Sequence, residues 1–194
     1  MDQTNLHAPD QAVTDPNLAL NFLKEGNARF VADQGITRNT NKADLAVTAG
    51  GQKPFAAILT CADSRVAPEL YFDQKIGDIF VVRNAGNIAD SEAQGSIEFA
   101  TKHLGAPLVV VVGHSKCGAV YTSYDNVQGL SKNLQKILDR IRPNIEASAN
   151  ADLAVGANVA AQVAILKENP VIKEVNAMVV GAEYDIATGQ VSFI

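Results

Sequence analysis

Four short runs constrain the fold more than anything else in this chain: Phe55-Ala56-Ala57-Ile58-Leu59-Thr60, Ile79-Phe80-Val81-Val82-Arg83, Leu108-Val109-Val110-Val111-Val112 and Ala177-Met178-Val179-Val180-Gly181. They are apolar continuously rather than at alternate positions, so as strands they have no face to give to water and must be buried on both sides. Helical signals fall around them. Asp15-Pro16, an N-cap followed by proline at the first helical position, with Leu20, Leu23, Phe30 and Val31 at helical spacing, predicts a helix to about Ala32. Ser91-Glu92-Ala93-Gln94 reads as a capping box opening a helix that carries Ile97, Phe99, Ala100 and Leu104 before Gly105 stops it. Lys132 to Arg142 and Ala154 to Glu168 give two more, the second ending before Pro170. Strand and helix in alternation predict an α/β fold, a mostly parallel four-stranded sheet with right-handed crossovers and helices on both faces. Gln190 to Ile194, close behind Thr188-Gly189, is expected to return as an antiparallel edge strand. The polar, glycine-containing stretch 33–53 reads as a surface connection.

A length of 194 residues suits one domain spanning 1–194, with an N-terminal helical arm at about 15–33. At 47% hydrophobic and 19% charged, the chain can build a core and lacks the composition of disorder. A net charge of -5 without any Lys/Arg cluster argues against a nucleic-acid partner. No apolar stretch approaches the roughly 20 residues that span a bilayer, so no membrane association is expected. Met1 to Val13 has neither the basic segment nor the apolar core of a secretory leader, which makes cytoplasmic residence the expectation. Two cysteines are too few for a disulfide framework, and in a reducing compartment their neighbours decide their role.

Those neighbours are informative. In open α/β sheets ligands bind beyond the carboxyl ends of the strands. Cys61 directly follows the first apolar run, and His114 and Cys117 follow the third across Gly113. If these strands are neighbours, two thiolates and an imidazole converge, a donor set suited to zinc. A closed structural zinc site asks for a fourth Cys or His, yet His7 lies in the polar N-terminus and His103 on a predicted helix. That leaves a position for water, whose pKa a bound zinc lowers from 15.7 to about 7. Asp63 and Arg65 lie two and four residues past Cys61. A guanidinium clamping that carboxylate bidentately would hold it off the metal and lower its pKa. Two other readings stay open: Cys117 or Cys61 as a nucleophile activated by His114, and a structural zinc with Asp63 as fourth ligand.

Cys61-Ala62-Asp63-Ser64-Arg65 together with His114-Ser115-Lys116-Cys117-Gly118, the cysteines 56 residues apart, resembles the β-carbonic anhydrases, whose pattern pairs C-x-D-x-R with H-x-x-C. Phe80-Val81-Val82-Arg83-Asn84-Ala85-Gly86-Asn87 is similar to a strand of that family, and the resemblance covers roughly 20–184. It implies one Zn2+ per subunit on Cys61, His114 and Cys117, and reversible hydration of carbon dioxide to bicarbonate and a proton by zinc hydroxide. Asp63 and Arg65 are implied as catalytic gate and orienter. Gln52 matches a substrate-orienting glutamine of the plant-like branch that reaches into the neighbouring subunit, so a homodimer is the implied minimum and a tetramer an extension of it. Phe80, Ala85 and Phe99 match a narrow apolar pocket, and Gly118 offers its backbone N–H to the bound anion. The chain departs from the plant-like pattern at Phe99, where tyrosine is usual, and at Ala85, where valine is usual. Ile58 occupies the place of the tryptophan that supports an inhibitory bicarbonate site in the allosteric branch, so that regulation is not expected. Carbonyl sulfide or carbon disulfide hydrolysis on the same scaffold is the alternative activity.

Overall fold

The computed structural model describes residues 11–36 and 42–194; His7 and most of the Met1–Val13 stretch lie outside them. In chain order the elements are α1 (Pro16–Val31), α2 (Lys42–Thr48), β1 (Ala56–Cys61), α3 (Pro68–Tyr71), β2 (Ile79–Asn84), α4 (Ser91–Glu98), a π-helical segment (Phe99–His103), β3 (Leu108–His114), α5 (Gly118–Tyr124), α6 (Lys132–Ile145), α7 (Ala151–Glu168), α8 (Pro170–Glu174), β4 (Met178–Tyr184) and β5 (Val191–Phe193). The sheet runs β2-β1-β3-β4-β5. The first four strands are parallel and β5 pairs antiparallel with β4, as the apolar runs and the Thr188-Gly189 turn predict.

Every residue of β1 and β3 is buried. The side-chain period of two divides them. Ile58, Leu108, Val110 and Val112 point with Phe55, Tyr71 and Phe72 into one core layer, against Leu23 of α1. Ala57, Leu59, Val109 and Val111 point the other way, into a layer with Ile97 of α4 and Val159 and Leu166 of α7. A third cluster lies at the carboxyl ends of the central strands and contains Cys61, Ile88, Cys117, Val120, Ile141, Ala154 and Val155.

Several boundaries differ from the sequence reading. The 33–53 connection contains α2, which buries none of its residues and so carries no amphipathic pattern to read. The cap of α4 is Asp90, whose carboxylate accepts from the Ala93 N–H at 2.9 Å; Ser91 instead bonds the Glu92 carboxylate. The helix expected to run to Gly105 changes to π geometry at Phe99. Helix α6 continues past Arg142 through Pro143, and α7 begins at Ala151, capped by Asn150. Cys61 and His114 are the last residues of β1 and β3 rather than the first residues after them.

Candidate metal centre

Adjacent parallel strands in register bring the two strand ends together: Thr60 stands opposite Val112, so Cys61 and His114 finish side by side. Lys116, at φ 57°, then turns the chain back, and Cys117 arrives as the residue before α5. One donor atom each from Cys61, His114 and Cys117 lies within 4.8 Å of the others, and all three residues are buried. The two sulfurs are 3.9 Å apart and form no disulfide.

His114 is the most telling member. Its Nδ1 lies 3.0 Å from the Ser115 carbonyl oxygen; a carbonyl only accepts, so Nδ1 carries the proton and Nε2 keeps its lone pair. That Nε2 is buried without any hydrogen-bond partner in the protein. Buried acceptors are rarely left unpaired, and this one faces two thiols. Two thiolates bound to one zinc at about 2.3 Å each would stand about 3.8 Å apart at the tetrahedral angle, close to the separation found. The donor set, its spacing and the orphaned nitrogen therefore fit a zinc ion. Between the thiols, Cys61 is the acidified one, chiefly through a hydrogen bond from Cys117, next through His114, with the Gly86 N–H at 3.5 Å a smaller contribution, while Cys117 is held protonated against it. A divalent cation placed between the sulfurs removes that opposition.

Asp63 and Arg65 form the bidentate pair their spacing suggests. Arg65 Nε donates to Oδ1 at 2.9 Å and Nη2 to Oδ2 at 2.7 Å, with the Arg65 backbone N–H on Oδ1 at 3.0 Å. These bonds hold the Asp63 carboxyl well below the usual carboxylate range. Oδ2 stops 4.0 Å from His114 Nε2. Sequence reasoning missed Arg83, which donates to the carbonyls of Cys61 (3.1 Å) and Asp63 (2.8 Å) from the end of β2 and so fixes the loop from the side. A charged residue closing an apolar strand next to the cysteine loop was the available signal.

The other residues named from the sequence are more dispersed. Gly118, exposed, opens α5 beside Cys117. Ala85, half-buried, lies between Asn84, which pairs with Cys61, and Gly86, which bonds its sulfur. Phe80 stands opposite Ala57 and thus about 13 Å down the sheet from the thiols, at 3.3 Å per residue. There it meets Phe99, 6.4 Å away between ring centres and 48% exposed. Gln52, exposed, precedes β1 and sits at the end of that strand opposite to Cys61. Within one chain, then, Gln52, Phe80 and Phe99 are not part of the thiol–imidazole cluster.

The sequence profile of the carbonic anhydrase family matches residues 56–191. Carbonic anhydrase 2 of Mycobacterium tuberculosis is 53% identical over 107 residues, an alignment covering 55% of this chain and 52% of that protein; the chain thus matches about half the length of this relative. A solved β-carbonic anhydrase of Aspergillus fumigatus superposes with a TM-score of 0.72 at 30% identity, covering 92% of this chain and 89% of the other. Two tetrameric β-carbonic anhydrases of Sordaria macrospora supply another likeness, with a TM-score of 0.70 at 28% identity over 92% of this chain and 97% of theirs. A family profile matched over residues 56–191 and a shared fold over 92% of the chain show that the protein belongs to the β-carbonic anhydrase family.

Proposed function

We propose that this chain hydrates carbon dioxide, reversibly, to bicarbonate and a proton, with one zinc per subunit held by Cys61, His114 and Cys117. The observation that carries the reading is the buried, unpaired Nε2 of His114 facing two thiols, with an ionised carboxylate 4.0 Å away. A zinc ion supplies Lewis acidity that makes water a nucleophile near neutral pH. Asp63 is too weak a base to take a proton there, because Arg65 occupies both of its oxygens. With zinc held by Cys61, His114 and Cys117, Asp63 Oδ2 would accept a hydrogen bond from a water molecule there and orient it toward the substrate, while Arg65 keeps the carboxylate from swinging inward. In this reading Gly118 presents its backbone N–H to the product anion, and Ala85, between Asn84 and Gly86, contributes to the apolar wall of the pocket.

Gln52, Phe80 and Phe99 enter this reading only across an interface. The outer edge of β2 has no strand partner among the described residues, and half-exposed Phe99 stands beside Phe80 on it. A homodimer that packs this edge, or a tetramer built from such dimers, would bring one copy's Gln52 and aromatic rings to the other's thiols; the Sordaria proteins are tetrameric. Among the described residues no helix is long and apolar enough to cross a membrane. The two unpaired cysteines suit the reducing cytoplasm, where we place the protein.

Stopped-flow hydration of carbon dioxide across pH, run beside carbonyl sulfide hydrolysis, zinc analysis and mass in solution, tests the reading. The expected result is about one zinc per chain, a mass that is a multiple of 20.5 kDa and a clear preference for carbon dioxide. A zinc-loaded protein that turns over only the sulfur substrate would replace the activity, and a metal-free active one would replace the mechanism. Bicarbonate should not inhibit cooperatively, given Ile58.

A further inference from the structure

We propose that Asn158 and Gln162, two amide side chains buried on α7, position the turn from Asn84 to Ala89 so that the Gly86 N–H stays bonded to the Cys61 sulfur, and thereby set how much charge that sulfur gives to a bound metal.

Among the described residues, neither side chain hydrogen-bonds Cys61, His114 or Cys117; their bonds go elsewhere. Asn158 is 0% and Gln162 1% exposed, in a helix whose other buried positions include Val155, Val159 and Leu166. Apolar residues would satisfy that environment at lower desolvation cost. Instead both amides spend their hydrogen bonds on one loop. Asn158 Nδ2 donates to the Gly86 carbonyl at 2.9 Å, and Gln162 Oε1 accepts from the Ala89 N–H at 2.9 Å. They are tied to each other, Gln162 Nε2 to Asn158 Oδ1 at 3.1 Å, and Asn144 of α6 adds a second donor to the same oxygen at 3.2 Å. One helical turn of α7 thus grips the loop at two points three residues apart, and Asn84 braces it from inside by bonding both the N–H and the carbonyl of Ile88 at 2.7 Å.

The point being gripped is the one that matters to the thiolate. Gly86 has φ 78°, and a Cβ there would come within 2.6 Å of Ile141 Cδ1, so the peptide is pressed between α6 and α7 with little room to rotate. Its carbonyl bonds Asn158 while its N–H reaches Cys61 Sγ at 3.5 Å. An N–H bonded to a thiolate withdraws charge from the sulfur and steadies its lone pairs. Partners of metal ligands commonly tune both affinity and electronics in this way. Asn158 and Gln162 are therefore positioning residues, acting on Cys61 through the Gly86 peptide.

The proposal rests on metal binding by Cys61, His114 and Cys117. It is tested on the full chain loaded with cobalt(II) or zinc, comparing Asn158→Leu and Gln162→Met, both near-isosteric, with Leu166→Ala, a core truncation at the far end of the same helix. Relaxing the Gly86 bond raises the sulfur lone pairs in energy. The thiolate-to-cobalt absorption band should then move to longer wavelength in both amide variants, and zinc should pass to a chelator about 10-fold faster or more. Leu166→Ala should lower the melting temperature without moving either readout. If Asn158→Leu fails to fold, Gln162→Met, which leaves Asn158 in place, decides. Amide variants that melt earlier yet keep the parental band and zinc release rate would overturn the proposal. A parent chain that takes up neither cobalt nor zinc would overturn the metal reading and this one with it.

Discussion

Asp63 and Glu183 are two carboxylates with opposite environments, and the contrast yields one prediction each. Asp63 is held ionised by three hydrogen bonds from Arg65. Replacing it by asparagine keeps the shape and removes the charge. Zinc content should stay at the parental level while carbon dioxide hydration falls about 100-fold, a loss typical of one orienting group. Loss of the metal in Asp63→Asn would instead make Asp63 a ligand. Glu183, on β4, leans its carboxylate against the backbone of α7, where Oε1 lies 2.5 Å from the position a Gly156 Cβ would take. Burial raises its pKa from the ordinary 4.5. The folded state then binds this proton more tightly than the unfolded one, so the contribution is fully present below pH 4.5 and is lost as pH rises through the raised value. Glu183→Gln should match the parent near pH 4 and melt progressively later than the parent toward pH 7; a melting difference independent of pH would show that burial is not the cause. At this scale the sequence was generous wherever chemistry and position coincide: three donors at two strand ends, and an acid and a guanidinium two residues apart. It says little of what Arg83, Asn158 and Gln162 do, because they act on backbone groups 20 to 73 residues away. The faint signal was a pair of amides one turn apart on an otherwise apolar helix face.

Strands were easier to read than helices because burial on both faces leaves an unbroken apolar run, whereas α2 buries nothing and α5 is a seven-residue helix opened by Gly118. The π-helical segment at Phe99 has no side-chain cap at its start, and no residue pattern announces it. The apolar runs stop one to three residues short of the strand ends, since Cys61, Asn84, the Gly113-His114 pair and the Ala182–Tyr184 stretch stay in the ladder beyond them. Gly113 shows what fixes the layer spacing there. A Cβ on it would lie 2.5 Å from Val159 Cγ2 and 3.0 Å from Val155 Cγ1, so α7 sits directly on the backbone of β3 next to His114. Gly113→Ala should cost about 1–3 kcal/mol in urea unfolding, as overpacking does. Adding Val159→Ala should recover part of that, giving a double variant more stable than the sum of the two changes. Strict additivity would mean that α7 shifts rather than Val159.

Across the whole molecule, helices cover both faces of one sheet and leave its carboxyl end to the cluster of Cys61, His114 and Cys117. Cys61 and His114 end neighbouring strands, so their spacing is a property of strand register, Thr60 meeting Val112 before Cys61 can meet His114, and Cys117 follows three residues later at the start of α5. That register closes a loop of about fifty residues, a slow, long-range step in any folding route. The donor cluster therefore comes into being as the central ladder closes, and an ion would find a complete set of donors only in chains that have already made this long-range contact. Zinc should act on the time axis asymmetrically: refolding from urea should run at the same rate within about twofold with or without it, while unfolding slows by about 10-fold or more, as expected for contacts absent from the transition state. Acceleration of refolding by zinc would mean that capture precedes pairing. In the expected case the ion works as a latch on a finished sheet, and a chain that loses it keeps its shape but loses its hold on that shape.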